Sequence, residues 1–208
     1  MTVDFDVAVQ SFLYFHGITD CNFEVIEIQL KAVQWRSAVH FMFENSLNAA
    51  VLHIMLGPEH DIVSVDLYMK IVIKIASIPE HSEDMIAGVG ATQFQVQGVW
   101  SKEEDQGLRP STWEGREAWP SLMMEVGYLE MIGLLHIDVE WWLLYSEGQT
   151  QFVIIEKIHR NPFHFHIECW MMGPPMAGIG DLWISKCIQD FNIDSAGAVT
   201  SPLGSTEL

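Results

Sequence analysis

From Ile62 to Ile75, apolar and mostly polar residues alternate over fourteen positions. Val63, Val65, Leu67, Met69, Ile71, Ile73 and Ile75 share one parity. Ser64, Asp66, Tyr68, Lys70 and Lys74 share the other, with Val72 the exception. Successive side chains of an extended strand point to opposite sides, so this period predicts a strand with one dry and one wet face. Weaker alternations recur at 5–10, 26–32, 35–43, 91–100, 135–143 and 163–172, and Gln151–His159 also reads as a strand. Turn-forming stretches separate them: His16-Gly17 to Asn22, Glu44–Asn48, Gly57–Asp61, Ser146–Gln149 and Arg160-Asn161-Pro162.

The expected architecture is mainly β, with about eight strands. Short turns between consecutive strands favour antiparallel neighbours, because parallel pairs need long crossovers. The sequence thus predicts an antiparallel β-barrel, calycin-like in outline, or a two-layer sandwich. Leu182, Trp183, Ile184, Lys186, Cys187, Ile188 and Phe191, with Asp181 as N-cap, have helical spacing and predict one C-terminal amphipathic helix. Some stretches read two ways: Phe12–Phe15 and Met123–Leu129 as strand or helix, and Phe23–Phe43 as two strands or one helical stripe, with β-branched density favouring a strand in its first half. Residues 1–200 read as one β-rich domain and 201–208 as a polar tail. Within the domain, Ser101–Pro120 is charged and rich in Pro and Gly, yet holds Trp113 and Trp119. A loop of that length is expected to be a lid or binding loop folded onto something apolar.

Apolar residues make up 49% of the 208, enough for an ample core, and eight Trp with eleven Met supply bulky, adaptable filling. A formal charge of −18, from 28 acids against 10 bases, disfavours nucleic acid and anionic membrane surfaces as partners. It suits solubility, or attraction to a basic protein. Three cysteines (Cys21, Cys169 and Cys187) have no paired spacing, which fits a reducing compartment and no disulfide framework. The first residues carry no basic stretch, and no run reaches eighteen apolar residues, so a cytoplasmic location is expected. Gly88-Val-Gly90 lacks the third glycine of a dinucleotide fingerprint.

Two alternating segments carry chemistry. His164, His166 and Glu168 project from one face of the 163–172 strand, as neutral imidazoles and a carboxylate that can ligate Zn²⁺ or Fe²⁺. His136, Asp138 and Glu140 would do the same on a preceding strand, and with Trp113 and Trp119 they form the expected ligand-binding set. A wet sheet face also accounts for such residues without any function. Phe163-His-Phe-His166 resembles the His-x-His strand of alpha-type carbonic anhydrases and, with Glu168, that of cupins. The resemblance stops there, since no further His follows His166.

Three functions follow as expectations. The first is a β-barrel binding an apolar small molecule in a hydrophobic pocket, or a cofactor-free cyclase or isomerase, with 101–120 as its lid. The second is a metal-dependent enzyme using His164, His166 and Glu168. The third is an acidic interaction protein of inhibitor or immunity type, or an assembly subunit that forms homo-oligomers. No sequence motif names a catalytic residue or an organic cofactor.

Overall fold

The computed structural model describes residues 12–17, 25–26, 28–29, 39–44, 49–54, 58–90, 93–96, 100–103, 105–113, 115, 118–128, 131–174 and 183–201. In chain order its elements are β1 (Phe12–His16), β2 (Val39–Glu44), β3 (Ala49–Ile54), α1 (Pro58–Ala76), β4 (Ile86–Val89), β5 (Gln93–Val96), β6 (Trp100–Glu103), β7 (Gln106–Pro110) and β8 (Leu122–Gly127). They continue with α2 (Ile132–Tyr145), β9 (Phe152–Arg160), β10 (Phe163–Met172), β11 (Ser185–Asp194) and β12 (Val199–Thr200). A single 3₁₀ turn, Glu83–Met85, precedes β4. The protein is mainly β, as the alternations predict. Contacts divide the chain into two units, residues 1–56 with 95–103 and residues 57–94 with 104–208.

In the first unit, β2 and β3 form an antiparallel hairpin closing at Glu44 and Ala49, and β1 pairs with the other edge of β3. The sheet order is β1-β3-β2-β6-β5. Within 23–43 the first half departs from the favoured strand and the second half takes the strand reading left open for it. Val25, Ile26, Ile28 and Gln29 are helical, whereas 39–44 is a strand. Alternations at 5–10 and 30–38 lie outside the described residues.

The second unit holds a seven-stranded sheet of order β12-β11-β10-β9-β8-β7-β4. The barrel expectation is corrected here, because the order is linear and the sheet is open. It is also mixed: β8 and β9 run parallel, from Leu122↔Phe152 to Gly127↔Lys157, and every other recorded pair is antiparallel. A parallel pair requires a crossover, and α2 is that crossover.

Two helices stand where strands were expected. The run Ile62–Ile75 lies inside α1, and Pro58–Asp61, expected as a turn, is its first turn, with Pro58 at a position where its missing N–H is no loss. One parity of an alternating run contains two i, i+4 rows about 200° apart on a helix, and so on opposite sides. Val63, Leu67, Ile71 and Ile75 form the half-buried row, and Val65, Met69 and Ile73 form the exposed one. Likewise Leu135–Leu143 belongs to α2, where Leu135, Val139 and Leu143 make a buried i, i+4 row and Ile137 is exposed.

The predicted C-terminal helix is corrected to a strand: Ser185–Asp194 is β11, paired along its length with β10. A bulge opposite Cys169/Trp170 shifts its register. The extra residue changes which parity faces which side, so no single period of two runs through β11. Between Ser101 and Pro120 the expected long loop contains the end of β6 and all of β7, so it is not a structureless lid.

The helices lie on opposite faces of the sheet. On one face Tyr68 of α1 fills the space above Gly88, where a Cβ would strike its hydroxyl. On the other, Leu135 of α2 sits above Gly127, where a Cβ would lie 2.6 Å from Leu135 Cδ1. Gly127 and Glu125 share one parity of β8, and Trp142 Nε1 of α2 donates to Glu125 Oε1 at 2.5 Å. Around it Trp141, Trp142, Trp119 and Phe94 pack with centroids 4.7–5.7 Å apart in tilted or edge-on geometry. Trp119 therefore does fold onto an apolar cluster, as its sequence context suggests.

Candidate functional site

The side chains with metal-ligating and acid–base chemistry gather on the α2 face of the sheet, over β10 and β11. Strand parity puts His164, His166, Glu168 and Trp170 on that face. The antiparallel register sets Asp190 opposite Glu168. His166 Nε2 lies 2.9 Å from Asp190 Oδ1 and 3.2 Å from Glu168 Oε1. The ligand atoms of His166, Glu168 and Asp190 all fall within 4.8 Å of one another.

From above, α2 adds His136, whose Nε2 is 2.8 Å from Glu168 Oε2. Trp170 Nε1 donates to the same oxygen at 2.6 Å, and the His136 ring lies 5.0 Å from the Trp170 ring. Both oxygens of Glu168 are thus engaged, and its side chain is only 7% exposed. Glu168 is the buried member, while the His166 and Asp190 side chains keep 23% and 20% of their exposure, so the cluster opens to solvent on one side.

Of the expected set His164, His166 and Glu168, the fold brings His166 and Glu168 together and sets His164 apart. The His164 Nδ1 lies 2.9 Å from Pro162 O, and its ring stacks on His159 with centroids 4.2 Å apart and planes 2° apart. Asp190 takes its place. No spacing in the sequence announces Asp190 while 182–191 is read as a helix. Only the β10–β11 register brings it in.

The second expected set separates because it lies on a helix. His136 and Glu140 are one turn apart and share a flank of α2, while Asp138 is two residues from each and buried on the other flank. Glu140 Oε1 accepts a hydrogen bond from the Ser185 hydroxyl of β11, next to the His136–Glu168 pair. Trp119 lies in the aromatic core described above. Trp113 is half-buried in the turn after β7, its backbone N–H donating to Pro110 O. Neither tryptophan adjoins the recorded contacts of His166, Glu168 and Asp190.

Local electrostatics follow the same geometry. Burial, and then the charges of Glu168 and Asp190, push the Cys187 thiol up to about 11, so it is neutral at ordinary pH. Cys187 Sγ lies 3.1 Å from Gln189 O. Burial also lowers His159, with further lowering by His164, Lys157 and His166, so this imidazole tends to stay neutral.

The opposite face, under α1, holds a second buried pair. His60 Nε2 lies 3.2 Å from Asp105 Oδ2, and that oxygen also accepts from Val126 N–H at 2.8 Å. Burial lowers the His60 pKa, but the hydrogen bond and charge of Asp105, with Asp61 behind them, outweigh it and raise it to about 9. Glu156, opposite Val126 in the register, is pushed up to about 7 by burial, with Lys70 lowering it and Asp66 raising it. These groups brace α1 against the sheet.

Comparison with protein-family models, curated proteins and solved structures returns no match to this chain.

Proposed function

We propose that this protein binds a divalent transition-metal ion through His166, Glu168 and Asp190, with His136 as a fourth donor from α2. The observation that carries the reading is the convergence of one imidazole and two carboxylates within 4.8 Å, drawn from two adjacent strands. Donors of mixed imidazole and carboxylate type suit Zn²⁺, Fe²⁺ or Mn²⁺ better than Cu⁺, which prefers thiolates. An ion there would act as a Lewis acid on a bound carbonyl or water. Trp170 would then orient Glu168, as outer groups orient metal ligands elsewhere. This reading keeps the metal-dependent class and revises its ligands. The apolar-ligand reading drew on a barrel interior as well as on the Trp and Met excess, and the described sheet is open.

The test is metal analysis and calorimetry on protein first stripped with chelator and then titrated with Zn²⁺ or Mn²⁺. One equivalent should bind to the parent protein. His166→Ala and Asp190→Asn should weaken binding by about 10- to 100-fold, and His164→Ala should leave it unchanged. Failure to bind one equivalent of either ion, or equal binding by His166→Ala, rules the reading out. The cluster would then be a ladder of His–carboxylate ion pairs.

A further inference from the structure

Helix α1 uses only one of its two apolar rows. The half-buried row faces the sheet, with Tyr68 over Gly88 and Lys70 and Asp66 near enough to Glu156 to shift it. The other row points away: Ile62 is 65% exposed, Val65 50%, Met69 47% and Ile73 63%. At 100° per residue these four form one stripe along a helix about 28 Å long. A surface helix ordinarily turns polar residues outward, and a contiguous apolar stripe of this kind marks an interaction surface.

Charge along the helix selects the occupant. Asp61 and Asp66 lie in its first half, and Lys70 and Lys74 in its second. Asp66 and Lys70 also pair with each other one turn apart. A uniformly basic partner would meet Lys70 and Lys74, and an acidic one would meet Asp61 and Asp66. The same helix turned end for end satisfies both halves together. A two-fold axis near Leu67 and Tyr68 sets Asp66 against Lys70 twice along one flank and Ile62 against Ile73, with Val65 and Met69 crossing at the centre. Such self-complementarity is what an isologous interface requires. It also places bases opposite acids where two chains of formal charge −18 would otherwise repel.

We propose that α1 pairs antiparallel with α1 of a second copy, forming a symmetric homodimer through Ile62, Val65, Met69 and Ile73. The proposal is independent of the metal site, which lies on the other face of the sheet.

Sedimentation equilibrium of the full chain tests it. The parent protein should sediment at twice the 23.6 kDa of one chain. Met69→Glu, at an exposed position, should keep the far-ultraviolet circular dichroism and weaken the dimer by at least about tenfold. Lys70→Asp alone and Asp66→Lys alone should each weaken it, and the double exchange should restore it. A parent protein that stays monomeric overturns the proposal, leaving the stripe to a segment of its own chain or to another protein. A Met69→Glu dimer of unchanged strength overturns it as well. Single charge reversals without effect would exclude the antiparallel arrangement.

Discussion

Glu156 and His60 make the stability of the second unit fall as pH rises. The folded pKa of Glu156 is raised from 4.5 to about 7, so the native state holds a proton the unfolded chain releases. Its contribution is complete below about 4.5 and is lost as pH climbs to about 7. His60 is raised from 6.5 to about 9, so its contribution is complete below about 6.5 and is lost as pH rises through about 9. Glu156→Gln should therefore stabilise the protein at pH 8 by about 1–3 kcal/mol and change little at pH 4.5. Urea unfolding at the two pH values checks this, and an equal effect at both refutes it. His60→Gln removes the imidazolium that Asp105 faces under α1 and should destabilise by about 3 kcal/mol at pH 6. The same substitution should flatten the loss of stability between pH 6.5 and 9. The His60–Asp105 pair was not legible, since its members are 45 residues apart in sequence. By contrast, His166 and Glu168 were legible because strand parity alone puts them on one face. Asp190 was not, because its strand was hidden.

The alternation at Ile62–Ile75 shows why an element can be misread. A period of two is a strand signature only where one face is meant to be wet. In α1 the same residues split into a row against the sheet and a row facing outward, and both rows are apolar. Ile71→Ala should accordingly cost about 1–3 kcal/mol, while Ile73→Ala should stay within about 0.5 kcal/mol in the dissociated protein. Equal costs at both, measured by denaturant titration of the Met69→Glu background, would contradict the helical assignment, since the two residues share a parity in a strand. The other misreadings have separate causes. In α2 the row Leu135, Val139 and Leu143 coincided with strand parity, and only the parallel pairing of β8 with β9 demands a crossover helix there. In β11 the bulge broke the period, and the remaining Ile184, Ile188 and Phe191 mimicked helical spacing. Strand β10 was legible because it alternates from Phe163 to Cys169, and β9 because a β-branched run ends at the Arg160–Pro162 turn that joins the two.

At the scale of the molecule, topology decides where an ion would act. His166 and Glu168 lie on β10, Asp190 on β11 and His136 on α2, so all four donors belong to the second unit. The strands β10 and β11 reach them at the β12 side of the sheet, while α2 arrives from the β8–β9 crossover. An ion held by these residues would add a further tie between β10, β11 and the helix that already meets them through His136 and Glu140. Binding to the native state alone stabilises it by about 2.7 kcal/mol at a hundredfold excess over Kd. That gain should be local. Zn²⁺ should slow amide hydrogen exchange most in β10, β11 and the first turns of α2. In β1, β2 and β3 exchange through local opening should stay as it was, because no donor comes from that unit. Protection spread evenly over both units would mean that the ion binds elsewhere, among the many surface carboxylates of a chain with 28 acids. Protection that survives Asp190→Asn and His166→Ala together would mean the same. If it is instead confined to the three elements and lost in that double variant, the ion is located by topology as well as by stoichiometry. The linear order of the sheet, with β12 at one edge and β4 at the other, makes that localisation readable from exchange alone.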